Sequence, residues 1–153
     1  MHRHNGFTVV ELVAVIVIVG IIAAVAAPRF IGRDAFDARG AYGTLISALR
    51  YAQKTAIAQR TNVFVNINLS ARTICLGYTN TCIPAVIDPA TLAPYAKTLP
   101  NGVSLASTSP IIAFDGLGRP IPNAQATFQI QNAVVPTESI RTITVEAETG
   151  YVR

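Results

Sequence analysis

Few side chains in this 153-residue chain can do chemistry, and their positions exclude more than they offer. The two histidines, His2 and His4, stand in a short polar leader ahead of a long apolar run. A chain that loses that leader keeps no histidine. That removes Ser-His-Asp triads, histidine general bases and histidine-containing zinc sites. Asp88, Asp115, Glu138, Glu146 and Glu148 form no paired-carboxylate or metal-binding pattern, so each reads as loop or strand-edge solubility. No catalytic residue, metal or cofactor is expected.

Cys75 and Cys82 have six residues between them, which is neither redox C-x-x-C spacing nor a complete metal set. In an exported chain they read as a disulfide, worth roughly 2–3 kcal/mol on chain entropy. The alternative is two free thiols packed as small apolar groups. The net charge of +4 is modest and does not compel a nucleic-acid partner. Arg50, Lys54 and Arg60 lie on one expected helix. Their plain reading is a solvated face, and the sharper one is contact with nucleic acid.

One acid, Glu11, stands at the mouth of an apolar run. From Leu12 to Ala27 every residue is Leu, Val, Ile, Ala or Gly, and ten of the sixteen are Leu, Val or Ile. Those ten favour a bilayer by roughly 3–6 kcal/mol. Glu11 opposes this by less than the ~2.5–3.5 kcal/mol of a central acid, because it sits near one end. Residues 7–27 as a helix span roughly 31 Å, matching a hydrocarbon core of about 30 Å. His2, Arg3 and His4 place the leader in the cytoplasm and the rest of the chain outside. A cleaved secretory signal ending at Ala24-Val25-Ala26 and a plain signal anchor both compete with this reading. The apolar run is too long for the first, and the second leaves Glu11 unexplained.

Pro28 and Gly32 weaken the helix after the span, so a kink is expected in the junction 28–37. Ala38, Tyr42, Leu45, Leu49, Ala52 and Ala56 then recur at four-three-four spacing, one stripe of an amphipathic helix ending at Arg60. Val63, Val65, Ile67 and Leu69 alternate with Phe64, Asn66 and Asn68, which reads as a half-buried strand. Thr73 to Tyr78 closes a hairpin with it. Residues 84–102, with four prolines, read as a surface loop with little regular structure. Short strands are expected at 103–105, 111–114, 127–131 and 140–147, with turns at 115–120 and 149–150. The fold class is α+β: one long helix, then an antiparallel sheet packed on its apolar stripe.

Gly6-Phe7-Thr8-Val9-Val10-Glu11-Leu12 resembles the prepilin peptidase motif of type IV pilins. The resemblance implies cleavage after Gly6, N-methylation of Phe7, and pairing of Glu11 with the N-terminal amine of a neighbouring subunit. Pro28 matches the proline that such helices commonly carry. Phe36-Asp37-Ala38-Arg39-Gly40, Ala48 to Arg60, Phe114-Asp115-Gly116-Leu117-Gly118-Arg119 and Thr149-Gly150-Tyr151-Val152 are similar to the pseudopilin H and FimT-like minor pilins. The likeness is greatest to minor pilins of the mannose-sensitive haemagglutinin (MSHA) pilus type.

The resemblance implies a pilin-like fold divided as leader 1–6, transmembrane helix 7–27, junction and amphipathic helix 28–60, and β-rich periplasmic domain 61–153. It implies a non-enzymatic minor pilin that primes or caps assembly. The alternatives are a minor pseudopilin of type II secretion and a DNA-binding minor pilin. DNA-binding relatives use a basic C-terminal tail, and here Arg153 follows the last strand directly. The implied partners are prepilin peptidase, major and other minor pilins, and the inner-membrane assembly platform.

Overall fold

The computed structural model describes residues 8–30, 33–134 and 137–153, with side chains outside 26–35. It falls into two compact units, Met1–Arg33 and Asp34–Arg153.

The first unit is built on helix α1, Val9–Phe30. Thr8 starts it, its hydroxyl accepting the Glu11 N–H at 3.2 Å. This Thr-x-x-Glu spacing is that of a capping box, and it satisfies one of the free amides of the first turn. The helix runs on through Pro28 to Phe30. Residue 32 and the side chain of Pro28, on which the expected kink depended, lie outside the description.

The second unit packs helix α2, Arg33–Gln59, against two antiparallel sheets. Ala38, Ala41, Leu45, Ala48, Leu49, Ala52 and Ala56 are buried, so the apolar stripe forms the helix side of the core. Small residues dominate it and let the sheets approach closely. Tyr42 sits at its edge, half-buried. Arg60 does not end the helix as expected. α2 stops at Gln59, and Arg60 turns the chain in the left-handed region at φ 52°.

Among the described residues eight strands follow: β1 Val63–Asn68, β2 Thr73–Gly77, β3 Ala96–Thr98, β4 Val103–Ser107, β5 Ile111–Phe114, β6 Pro120–Ile121, β7 Ala126–Asn132 and β8 Arg141–Val145. They form not one sheet but two, ordered β3-β2-β1-β5-β6 and β4-β7-β8. In β1, Val63, Val65 and Ile67 are buried, as the alternation predicts, and Leu69 falls beyond the strand. β2 pairs with β1 in the expected hairpin, and β5 takes β1's other edge. Phe114, Phe128, Ile130, Ile143 and Val145 complete the core from both sheets.

The proline-rich stretch 84–102 has more structure than its composition predicts. It contains β3 and two isolated bridges, Gly77 with Ala85 and Ile87 with Pro94. Prolines break helices but tolerate an edge strand, and β3 is the sheet's edge.

Candidate functional site

Two surfaces are candidates for function. The first is α1. Its described side chains, Thr8 to Val25, are all exposed in the isolated chain, Val9 and Val10 to 78%. A contiguous apolar surface of that extent marks association with a membrane or with other helices. Among residues whose side chains are described, no helix is long and apolar enough to cross a membrane. The apolar run itself continues in the sequence to Ala27, and α1 is about 33 Å long at ~1.5 Å per residue. Glu11 is the single acid of its first turn, where the helix dipole favours a negative charge. Gly6 and Phe7 lie outside the described residues. Thr8 was not singled out from the sequence. Its spacing of three before Glu11 is the signal that could have found it.

The second surface is the outward face of α2 with the segments stitched to it. Arg50 is not simply solvated: its guanidinium donates to the Val152 carbonyl at 3.0 Å and ties the last segment to the helix. One turn on, the Gln53 amide donates to the carbonyls of Gly118, at 2.9 Å, and Thr149, at 3.2 Å. The two glycine turns noted in the sequence therefore meet on one helix. Gly150, at φ 63°, lies so close to the Gly118 carbonyl that a β-carbon would stand 2.1 Å from its oxygen. Only glycine fits there, by space and by backbone angle.

Asp115 holds the first of these turns. Its carboxylate accepts the backbone N–H groups of Leu117 and Arg119 and pairs with the Arg119 guanidinium. The backbone N–H of Arg119 contributes most to lowering its pKa. Arg50 and Lys54 flank an open groove of about 290 Å³ whose floor includes Ile46 and Tyr51. Arg60 is not part of it.

Cys75, in β2, and Cys82 form a disulfide, with sulfurs 2.06 Å apart, stapling the turn between them. Gly77 is required beneath it, since a β-carbon there would lie 2.4 Å from the Cys82 Cα.

Asp88 is not the solvated loop acid its composition implies. It is buried, accepts the Ala90 N–H, and pairs with Lys97 at 2.5 Å. The hydrogen bond from Lys97 is the chief reason its carboxyl stays below the usual range, and the same bond raises Lys97. The Lys97 ammonium lies 5.2 Å from the centre of the Tyr95 ring, which stacks on Tyr51. Burial is the main cause raising the Tyr95 phenol. The other three acids weighed from the sequence are engaged too: Glu138 with Arg141, Glu146 with Arg153, and Glu148 with Asn123. They stitch turns together, and no group able to hold a metal is found among the described residues.

Comparison with known proteins matches two stretches of the chain separately. Residues 1–27 match the prokaryotic N-terminal methylation motif. Residues 41–149 match the family described as type II transport protein GspH. A stretch of 58 residues is 40% identical to the type IV major pilin protein PilA of Myxococcus xanthus, over 38% of this chain and 26% of that protein. The chain thus spans about a quarter of that relative's length.

The fold superposes on the type IV minor pilin FimU of Pseudomonas aeruginosa with a TM-score of 0.58. The identity is 18%, over 75% of this chain and 85% of that one. It superposes on the minor pseudopilin EpsH from the type 2 secretion system of Vibrio cholerae with a TM-score of 0.57, at 15% identity over 76% and 94%. At such identities the superpositions speak for the fold alone. With the family match covering most of the chain and the methylation motif ahead of it, this chain belongs to the family of the type II transport protein GspH.

Proposed function

We propose that this chain is a minor subunit of a type IV pilus of the MSHA type, made as a prepilin. Prepilin peptidase cuts after Gly6, and the new N-terminus at Phe7 is methylated. Residues 7–27 hold the chain in the inner membrane with the globular unit in the periplasm. The subunit then passes through the assembly platform into the filament, where it primes or caps growth beside major and other minor pilins. It has no catalysis of its own.

The observation that supports this reading is α1: an exposed apolar helix with one acid, Glu11, in its first turn. In a bundle of such helices the Phe7 amine is a cation in apolar surroundings, and Glu11 follows it by four residues in the sequence. A charge left unpaired there is costly, so pairing Glu11 with a neighbour's amine sets axial register. The match to the GspH family favours a second reading, a minor pseudopilin of type II secretion.

The intact mass of the chain recovered from host membranes tests the reading. It should lack residues 1–6 and carry one methyl group on Phe7, and Glu11→Ala should be cleaved normally yet be lost from sheared filaments. A leader retained in the wild type, or Glu11→Ala at wild-type level in filaments, refutes the proposal. A deletion strain scored for surface pili and for protein secretion separates the two machines.

A further inference from the structure

The charges of the globular unit are unevenly placed. All four ion pairs among the described residues lie outside α2: Lys97–Asp88, Arg119–Asp115, Arg141–Glu138 and Arg153–Glu146. They leave the strand and loop side nearly neutral. From Ala38 to Arg60 the chain carries Arg39, Arg50, Lys54 and Arg60 and no acid. At about 100° per residue, Arg39, Arg50 and Lys54 fall within roughly 60° of one another, over about 22 Å of helix. They lie opposite the buried stripe. Phe36, 71% exposed, Ile46 and Ile57, 48% exposed, share their face. Arg50 is held in place by the Val152 carbonyl.

We propose that this face of α2 docks on an acidic helix face of a different pilin-like subunit, and that its charge excludes a second copy of this chain. The inference rests on the filament-subunit reading above. Two copies meeting through this face would set three cations against three cations with no acid to relieve them. Like charges brought together suppress a wrong partner, and complementary ones select the right one. The three apolar side chains favour a helix over nucleic acid, because a phosphate backbone would leave them facing a hydrated polyanion. A partner helix with carboxylates at matching spacing buries them between the ion pairs.

The test uses the full chain in its host. Arg39→Glu with Lys54→Glu changes two exposed bases that make no hydrogen bond or ion pair among the described residues. The double variant should fall about tenfold in sheared filaments. Its membrane level and Cys75–Cys82 oxidation should stay as in wild type, and Arg39→Lys with Lys54→Arg should assemble normally. A benzophenone on Lys54→Cys should cross-link to a different pilin-like subunit. Wild-type filament levels of the double variant, or a cross-link to a second copy, overturn the proposal. Retarded migration of a 30-base-pair duplex by wild type that the double variant abolishes, with filament levels unchanged, also overturns it and gives the face to nucleic acid. A wild-type chain that keeps its leader and never enters filaments overturns the filament reading, and this inference with it.

Discussion

Replacing Gly150 by alanine should be among the most damaging single-methyl changes in the globular unit. The new β-carbon would meet the Gly118 oxygen at 2.1 Å, and the backbone there is left-handed. A side chain at such an angle costs about 1–2 kcal/mol. Relieving the clash means moving the 149–150 turn away from Gly118, and Gln53 bonds the carbonyls on both sides of that contact. Losing both bonds costs about 0.5–1.5 kcal/mol each. The total is about 2–5 kcal/mol, a large part of the ~5–15 kcal/mol that holds a domain.

Gly40→Ala is the control. Its β-carbon meets nothing within 4 Å on α2, so the same change should stabilise by about 0.5–1 kcal/mol. Guanidinium unfolding of the detergent-solubilised chain, followed by tyrosine fluorescence, measures both. In a double-mutant cycle Gly150→Ala and Gln53→Ala should be less than additive, since both remove the same bonds. A Gly150→Ala chain within 0.5 kcal/mol of wild type, or strict additivity with Gln53→Ala, would refute the reasoning.

Cys75→Ser with Cys82→Ser should cost roughly 2–3 kcal/mol, read from the same unfolding curves against wild type with and without reductant. Asp88→Asn should destabilise at neutral pH. The carboxyl's folded pKa is lowered, so its contribution is present above its ordinary value near 3.8 and is lost as pH falls through the folded value. Lys97 is raised, so its share is full below about 10.5 and is lost only as pH rises through the higher folded value. The gap between wild type and Asp88→Asn should therefore close on acidification below pH 3.8, as followed by thermal unfolding across pH.

Local pattern made much of the globular unit legible. The four-three-four stripe on α2 and the alternation in β1 were readable because burial repeats at the period of the element. The Cys75–Cys82 bridge was readable because it closes a short loop. Three features were not. β5 joins β1 across more than forty residues, and alternation says which face a strand buries but not which strand lies beside it. That is why neither the order β3-β2-β1-β5-β6 nor the separate sheet β4-β7-β8 was legible in the sequence. Asp88 looked like any loop acid until Lys97 was placed against it, and nothing in the local pattern marks Gln53 as the residue that bonds both glycine turns.

At the N-terminus the sequence is nearly sufficient on its own. The apolar run from Leu12, the single acid Glu11 and the Thr8 cap act through partition and local geometry, which need no tertiary neighbour. The globular unit is different. Gly150 is required only because Gly118 and Gln53 arrive beside it from elsewhere in the chain. The basic face of α2 stands out only because the fold pairs four other bases with acids and leaves Arg39, Arg50 and Lys54 without one. Charge and space between distant segments are set by where the chain folds them, and tertiary structure alone decides that.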